Sequence, residues 1–183
     1  MKALLYCTKG KVNLYRPFEQ DCFGQDETSK FYLANNPLLK EDTLLNGKIV
    51  AEVEIDKVEE IKLYRLDLLE EICKKSCLSH SELYEYLADF HIESNCMFYK
   101  KGYALHLTNI KVFDRPNELS EWVDKEDKLL TNVPQNMCYC YHWVWGKYIL
   151  ISIQPQHLCK ILNGEKTIEV RRKVLNCLKG CEE

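Results

Sequence analysis

The chain contains no run of about 18 apolar residues, which excludes a membrane-spanning helix from its sequence. No secretory leader is expected either. The apolar stretch of Met1-Lys2-Ala3-Leu4-Leu5-Tyr6-Cys7 ends at Thr8-Lys9, with no small-residue cleavage site behind it. It reads better as a buried strand that opens the fold, and a cytosolic location is expected. Metal-site spacings are missing too: there is no C-x-x-C pair, no H-x-H and no HExxH. Neither metal nor cofactor is expected, and the ten cysteines are expected to be buried free thiols. Cys73 and Cys77 are spaced to share a helical face, and Cys138 and Cys140 to share a strand face. An excess of positive charge is also absent. A net charge of −3 and a pI near 6.0 count against a large non-specific phosphate-binding footprint. Any nucleic-acid contact must be local. No internal repeat or low-complexity segment stands out.

What is present fits one folded domain over residues 1–183, with 46% hydrophobic and 29% charged residues. Residues 2–7 predict a strand. Residues 16–46 hold turn formers (Pro17, Gly24, Asn35-Asn36-Pro37, Asn46-Gly47) and read as a loop-rich excursion. Ile49, Ala51, Val53 and Ile55 alternate with a more polar set, which predicts a strand. Leu66, Leu69 and Ile72 carry helical spacing over 65–75. Ser79-His80-Ser81-Glu82 matches a capping box and opens a helix presenting Leu83, Tyr86, Leu87 and Phe90. Gly102 to Phe113 alternates again, with apolar residues on both faces, as in a central strand. Pro116 predicts a short helical turn through Leu119 and Trp122. Met137–Trp145 and Lys147–Ile153 predict a hairpin joined at Gly146. Pro155 starts a helix through Leu162, Gly164 takes the left-handed cap, and Thr167–Arg172 is the last strand before a polar tail at 174–183. Without βαβ alternation, this order predicts an α+β fold on a mixed or antiparallel sheet of a kind that can curl into a barrel.

The most informative stretch runs from Ile151-Ser152-Ile153-Gln154-Pro155 to Gly164-Glu165-Lys166-Thr167-Ile168-Glu169-Val170-Arg171. Strand alternation would set Lys166, Ile168 and Val170 on one face and Thr167, Glu169 and Arg171 on the other. Lys166 is expected at the mouth of a cleft, with a Glu169–Arg171 ion pair further along.

Gly164, Lys166, Glu169 and Arg171 match G-x-K-x-x-E-x-R, and on these residues the chain resembles the ASCH family. Asn46–Glu52, Gly102–Leu107 and Asp114–Leu119 resemble the family in the same way, most closely its bacterial and prophage members. The order differs: the strand at Leu4–Lys11 usually follows the motif, so the chain looks circularly permuted. Met1 and Lys173 are then expected to be neighbours. The resemblance implies a PUA-like mixed β-barrel of about six to seven strands with three or four short flanking helices. It also implies a cleft for RNA or a nucleoside-like ligand. Lys166 and Arg171 would meet phosphate or a base edge there, and Glu169 would orient a partner. Gly164 and Lys9 would lie along the cleft, with Tyr6, Tyr15 and Trp145 as candidates for base stacking.

A rival reading is a small ASCH-type hydrolase of a modified nucleoside or RNA, in which Lys166 would be the base. Carried over residue by residue, the hydrolase threonine falls on Glu169 and its acidic residue near Ser76, so two of three roles are missing. A protein adaptor using 16–46 and 123–135 is the third class.

Overall fold

The computed structural model describes residues 1–8, 47–91, 96–99, 101–132 and 136–178, with side chains omitted at 89–91 and 96–99. Lys9, Tyr15 and the 16–46 excursion lie outside the described residues. Eight strands and three α-helices occur among those residues. In chain order they are β1 (Lys2–Cys7), β2 (Lys48–Ile61), α1 (Leu66–Ser76), α2 (His80–Leu87), β3 (Ala88–His91), β4 (Cys96–Tyr99), β5 (Gly102–Glu118), β6 (Met137–His142), β7 (Gly146–Ile153), α3 (Pro155–Leu162) and β8 (Ile168–Arg171). The fold is α+β. Its main sheet is mixed and six-stranded, in the order β6-β7-β1-β2-β5-β8, with β3 and β4 forming a separate pair. No described helix is long and apolar enough to cross a membrane.

The described residues group into two compact units. The first holds Met1, Glu54–Thr108 and the described part of Glu165–Glu183. β5 and β8 run antiparallel within it, pairing Tyr103 with Arg171, Ala104 with Val170, Leu105 with Glu169 and His106 with Ile168. Cross-strand partners share a face. Ala104, Ile168 and Val170 therefore lie together, packed in a core with Leu69, Ile72 and Cys73 of α1 and Leu83 and Leu87 of α2. Glu169 and Arg171 belong to the opposite face. Gly102 is pressed by Leu87; a Cβ there would stand 2.6 Å from Leu87 Cδ2. α2 begins with the expected capping box: Ser79 Oγ accepts from Glu82 N–H at 3.2 Å, and Glu82 Oε2 accepts from Ser79 N–H at 2.7 Å. Cys177 Sγ lies 3.9 Å from Met1 Sδ, so the first residue sits beside the segment that follows Lys173.

The second unit holds Met-adjacent β1 and the rest of Lys2–Val53 that is described, with Asn109–Gly164. Here β1 pairs in parallel with β7, Ala3 opposite Ile149 through Cys7 opposite Ile153. β6 and β7 form an antiparallel hairpin. Leu4, Tyr6, Ile49, Leu119, Trp122, Leu130, Cys140, Tyr148 and Leu150 make its core, with Cys138 packed against it.

Several expectations need correction. Leu66 is exposed; the buried stripe of α1 is Leu69, Ile72, Cys73 and Ser76. Cys77 is not on that face, because it leaves the helix at φ 55°. α2 stops at Leu87, where the chain turns extended into β3, so Phe90 is not helical. Pro116 lies inside β5, and the helical turn starts three residues later, at Leu119–Glu121. β8 pairs only with 103–106, so Pro116 sits beyond that pairing, where a missing N–H does less harm. β6 ends at His142 rather than Trp145. The segment at 174–178 is no polar tail, since Val174 and Leu178 are buried.

Candidate functional site

α3 delivers the motif. Its Pro155 sits in the first turn, its buried face is Pro155, Leu158, Cys159 and Ile161, and it ends at Leu162. Gly164 follows at φ +77°, a left-handed conformation that glycine adopts without strain. Gly164 thus contributes a chain reversal, and two residues later comes Lys166.

Lys166 is not at a mouth; its residue is 2% exposed. It precedes β8, so strand alternation does not govern it. Its ammonium donates to the Ser76 carbonyl at 3.1 Å and lies 3.1 Å from Glu169 Oε2. Ser76 is the last residue of α1, where backbone carbonyls lack helical partners and the helix end favours a cation. The flanking residues join in. Thr167 N–H donates to the Lys75 carbonyl at 2.9 Å, and Cys77 Sγ lies 3.5 Å from the Glu165 carbonyl. Residues 165–167 therefore cap the C-terminus of α1.

Arg171 completes the group, with its guanidinium 2.9 Å from Glu169 Oε1. Two cations thus share one carboxylate. The side chains are 3%, 9% and 11% exposed for Lys166, Glu169 and Arg171, whereas the surface pair Lys75–Glu71 is 45% and 54% exposed. The chain then continues through Arg172, whose guanidinium donates to the Tyr86 carbonyl and lies 4.7 Å over the Tyr86 ring, to exposed Lys173.

The other candidates divide. Tyr6 is 7% exposed, belongs to the core of the second unit, and has its phenol pushed up in pKa first by burial; it is a core residue, not a stacking platform. Trp145 is half exposed and stacks on His142.

Sequence reasoning missed His106 and Glu59, whose Nε2 and Oε1 are 2.7 Å apart. Glu59 also accepts from Lys57 at 2.8 Å. Burial alone would raise the Glu59 carboxyl pKa, but the bonds from Lys57 and His106 outweigh it and hold it below the usual range. His106 was visible only as a position in an alternating strand, and nothing local signals its carboxylate partner. Among the described residues, no three His, Cys, Asp or Glu groups are placed to share a metal ion.

No family model matches this chain, and neither a curated protein nor a solved structure does.

Proposed function

We propose that the chain is an ASCH-type module with a PUA-like barrel that binds RNA or a nucleotide-like anion beside Lys166, Glu169 and Arg171. The observation that carries this reading is the shared carboxylate: Lys166 and Arg171, both largely buried, lie against Glu169 and gather charged, hydrogen-bonding groups at the motif. The three residues divide the work. Lys166 is a positioning residue that ties the motif to the end of α1, and Glu169 orients Arg171. Arg171, the most exposed of the three, contacts the ligand, and its planar fork suits phosphate or a guanine edge. Arg172 and Lys173 extend the positive charge from there.

The experiment is fluorescence anisotropy with short single-stranded RNAs at two salt concentrations, on wild type, Arg171→Ala and Arg171→Lys. Salt-sensitive binding, weakened by Arg171→Ala and partly kept by Arg171→Lys, is the expected result. Binding by wild type that neither variant alters removes the motif from the site.

A further inference from the structure

Trp143, Val144 and Trp145 form the turn of the β6–β7 hairpin and are 82%, 80% and 53% exposed. Three consecutive large apolar residues in solvent are unusual on a folded surface, where such residues are normally scattered singly. The turn is nevertheless built, not slack. Val144 N–H donates to His142 Nδ1 at 3.2 Å. The Trp145 ring stacks on the same imidazole at 4.2 Å and 15°. That imidazole leans in turn on buried Trp122, with ring centroids 5.0 Å apart. One face of the Trp145 indole is therefore occupied by His142, and its exposure belongs to the remainder.

The hairpin's own charge has one sign. Residues 136–149 include Lys147 and no Asp or Glu. The Lys147 ammonium lies 3.8 Å from the centroid of the Tyr139 ring, along the same hairpin. An acidic loop does approach, since Val123 bridges Tyr141. Its Asp124 carboxylate, however, is turned onto its own backbone, accepting from Glu126 N–H at 2.7 Å and Lys128 N–H at 3.1 Å.

We infer that this hairpin turn is a stacking platform for an unpaired base of single-stranded nucleic acid. A fixed indole with one face already stacked offers the other to a flat ring. Trp143 offers a second surface, and Lys147 is placed for a phosphate of the same strand. The inference takes its ligand class from the nucleic-acid reading above, but it uses different residues on a different element.

The test follows intrinsic tryptophan fluorescence of the full chain during titration with a short oligoadenylate. Wild type, Trp143→Ala, Trp145→Ala, Lys147→Ala and Arg171→Ala are compared. Quenching is expected, with binding weakened about 5- to 150-fold by Trp145→Ala, the equivalent of ~1–3 kcal/mol per stacked base. Lys147→Ala should lower the salt slope by about one. Since Trp143, Trp145 and Lys147 are exposed, their variants should melt as wild type does. Binding lost in Trp145→Ala but kept in Arg171→Ala upholds the platform and overturns the motif site. Binding lost in Arg171→Ala but unchanged in both tryptophan variants does the reverse. Tryptophan emission that responds to phosphatidylserine vesicles and not to oligoadenylate overturns the platform in favour of a membrane contact.

Discussion

The Lys166 ammonium lies 3.1 Å from the Glu169 carboxylate, although three residues of regular strand would send the two side chains to opposite faces. The contact exists because β8 begins only at Ile168, leaving Lys166 free to turn under the end of α1. Glu169 is thereby an anion shared by two cations. Glu169→Ala should cost about 3–5 kcal/mol, the range for breaking a buried pair. Lys166→Met should cost less, because Glu169 keeps Arg171. Urea denaturation of both variants decides it; equal losses would mean that capping the Ser76 carbonyl matters as much as the charge.

Gly102→Ala should be destabilising for steric reasons alone. The new methyl would meet Leu87 Cδ2 at 2.6 Å and Ile61 Cδ1 at 3.3 Å within a filled core. Overpacking of this kind costs about 1–3 kcal/mol. Pairing Gly102→Ala with Leu87→Val should recover part of the loss, and a thermal melt that finds no recovery would place the strain elsewhere.

Glu59 makes a pH prediction. Its carboxyl is held below the usual range in the folded chain, against burial, by Lys57 and His106. A depressed folded pKa stabilises above the unfolded value of about 4.3, and that contribution disappears as pH falls through the folded pKa. His106→Ala should therefore move the Glu59 titration upward, read from the carboxyl carbon shift by NMR. An unmoved midpoint would leave Lys57 as the whole cause.

The thiols should separate by reactivity. Cys7 is pushed up to about 12 by burial first and by Cys159 second. Cys140 is raised further still, again chiefly by burial. Neither forms much thiolate at pH 8, so both should resist iodoacetamide until the chain unfolds, while partly exposed Cys77 and Cys177 are modified earlier. Mass spectrometry of timed samples would show the order, and early labelling of Cys140 would contradict it.

Local signals were the readable ones. Ser79 with Glu82, and Pro155 with Gly164, mark helix ends through bonds and dihedrals made within a few residues, and the structure places them as the sequence predicts. Register over long distances was not readable. The meeting of Glu59 with His106 depends on how β2 and β5 align, across 47 positions of sequence. The Lys166–Ser76 contact likewise depends on where a helix 90 residues earlier happens to end. Pro116 misled because the prior for proline at a helix start ignores an extended stretch that β8 does not reach. Within the motif, residue identities were plain, but burial was not: the turn at Gly164 suggests an open mouth for Lys166, which lies buried against the end of α1.

The parallel pairing of β1 with β7 also governs the order in which the molecule is made. Leu4 takes Leu150 as its partner, so one edge of β1 waits until Leu150 has been synthesised. At about 5–20 residues per second, that interval is roughly 7–30 s. Throughout it, an apolar strand that is buried in the finished protein, Ala3 to Cys7, must keep that edge from pairing with a neighbour's. Nascent chains crowded on one message are therefore vulnerable to mispairing at Ala3 to Cys7, and a chaperone acting on them would be needed there until β7 emerges.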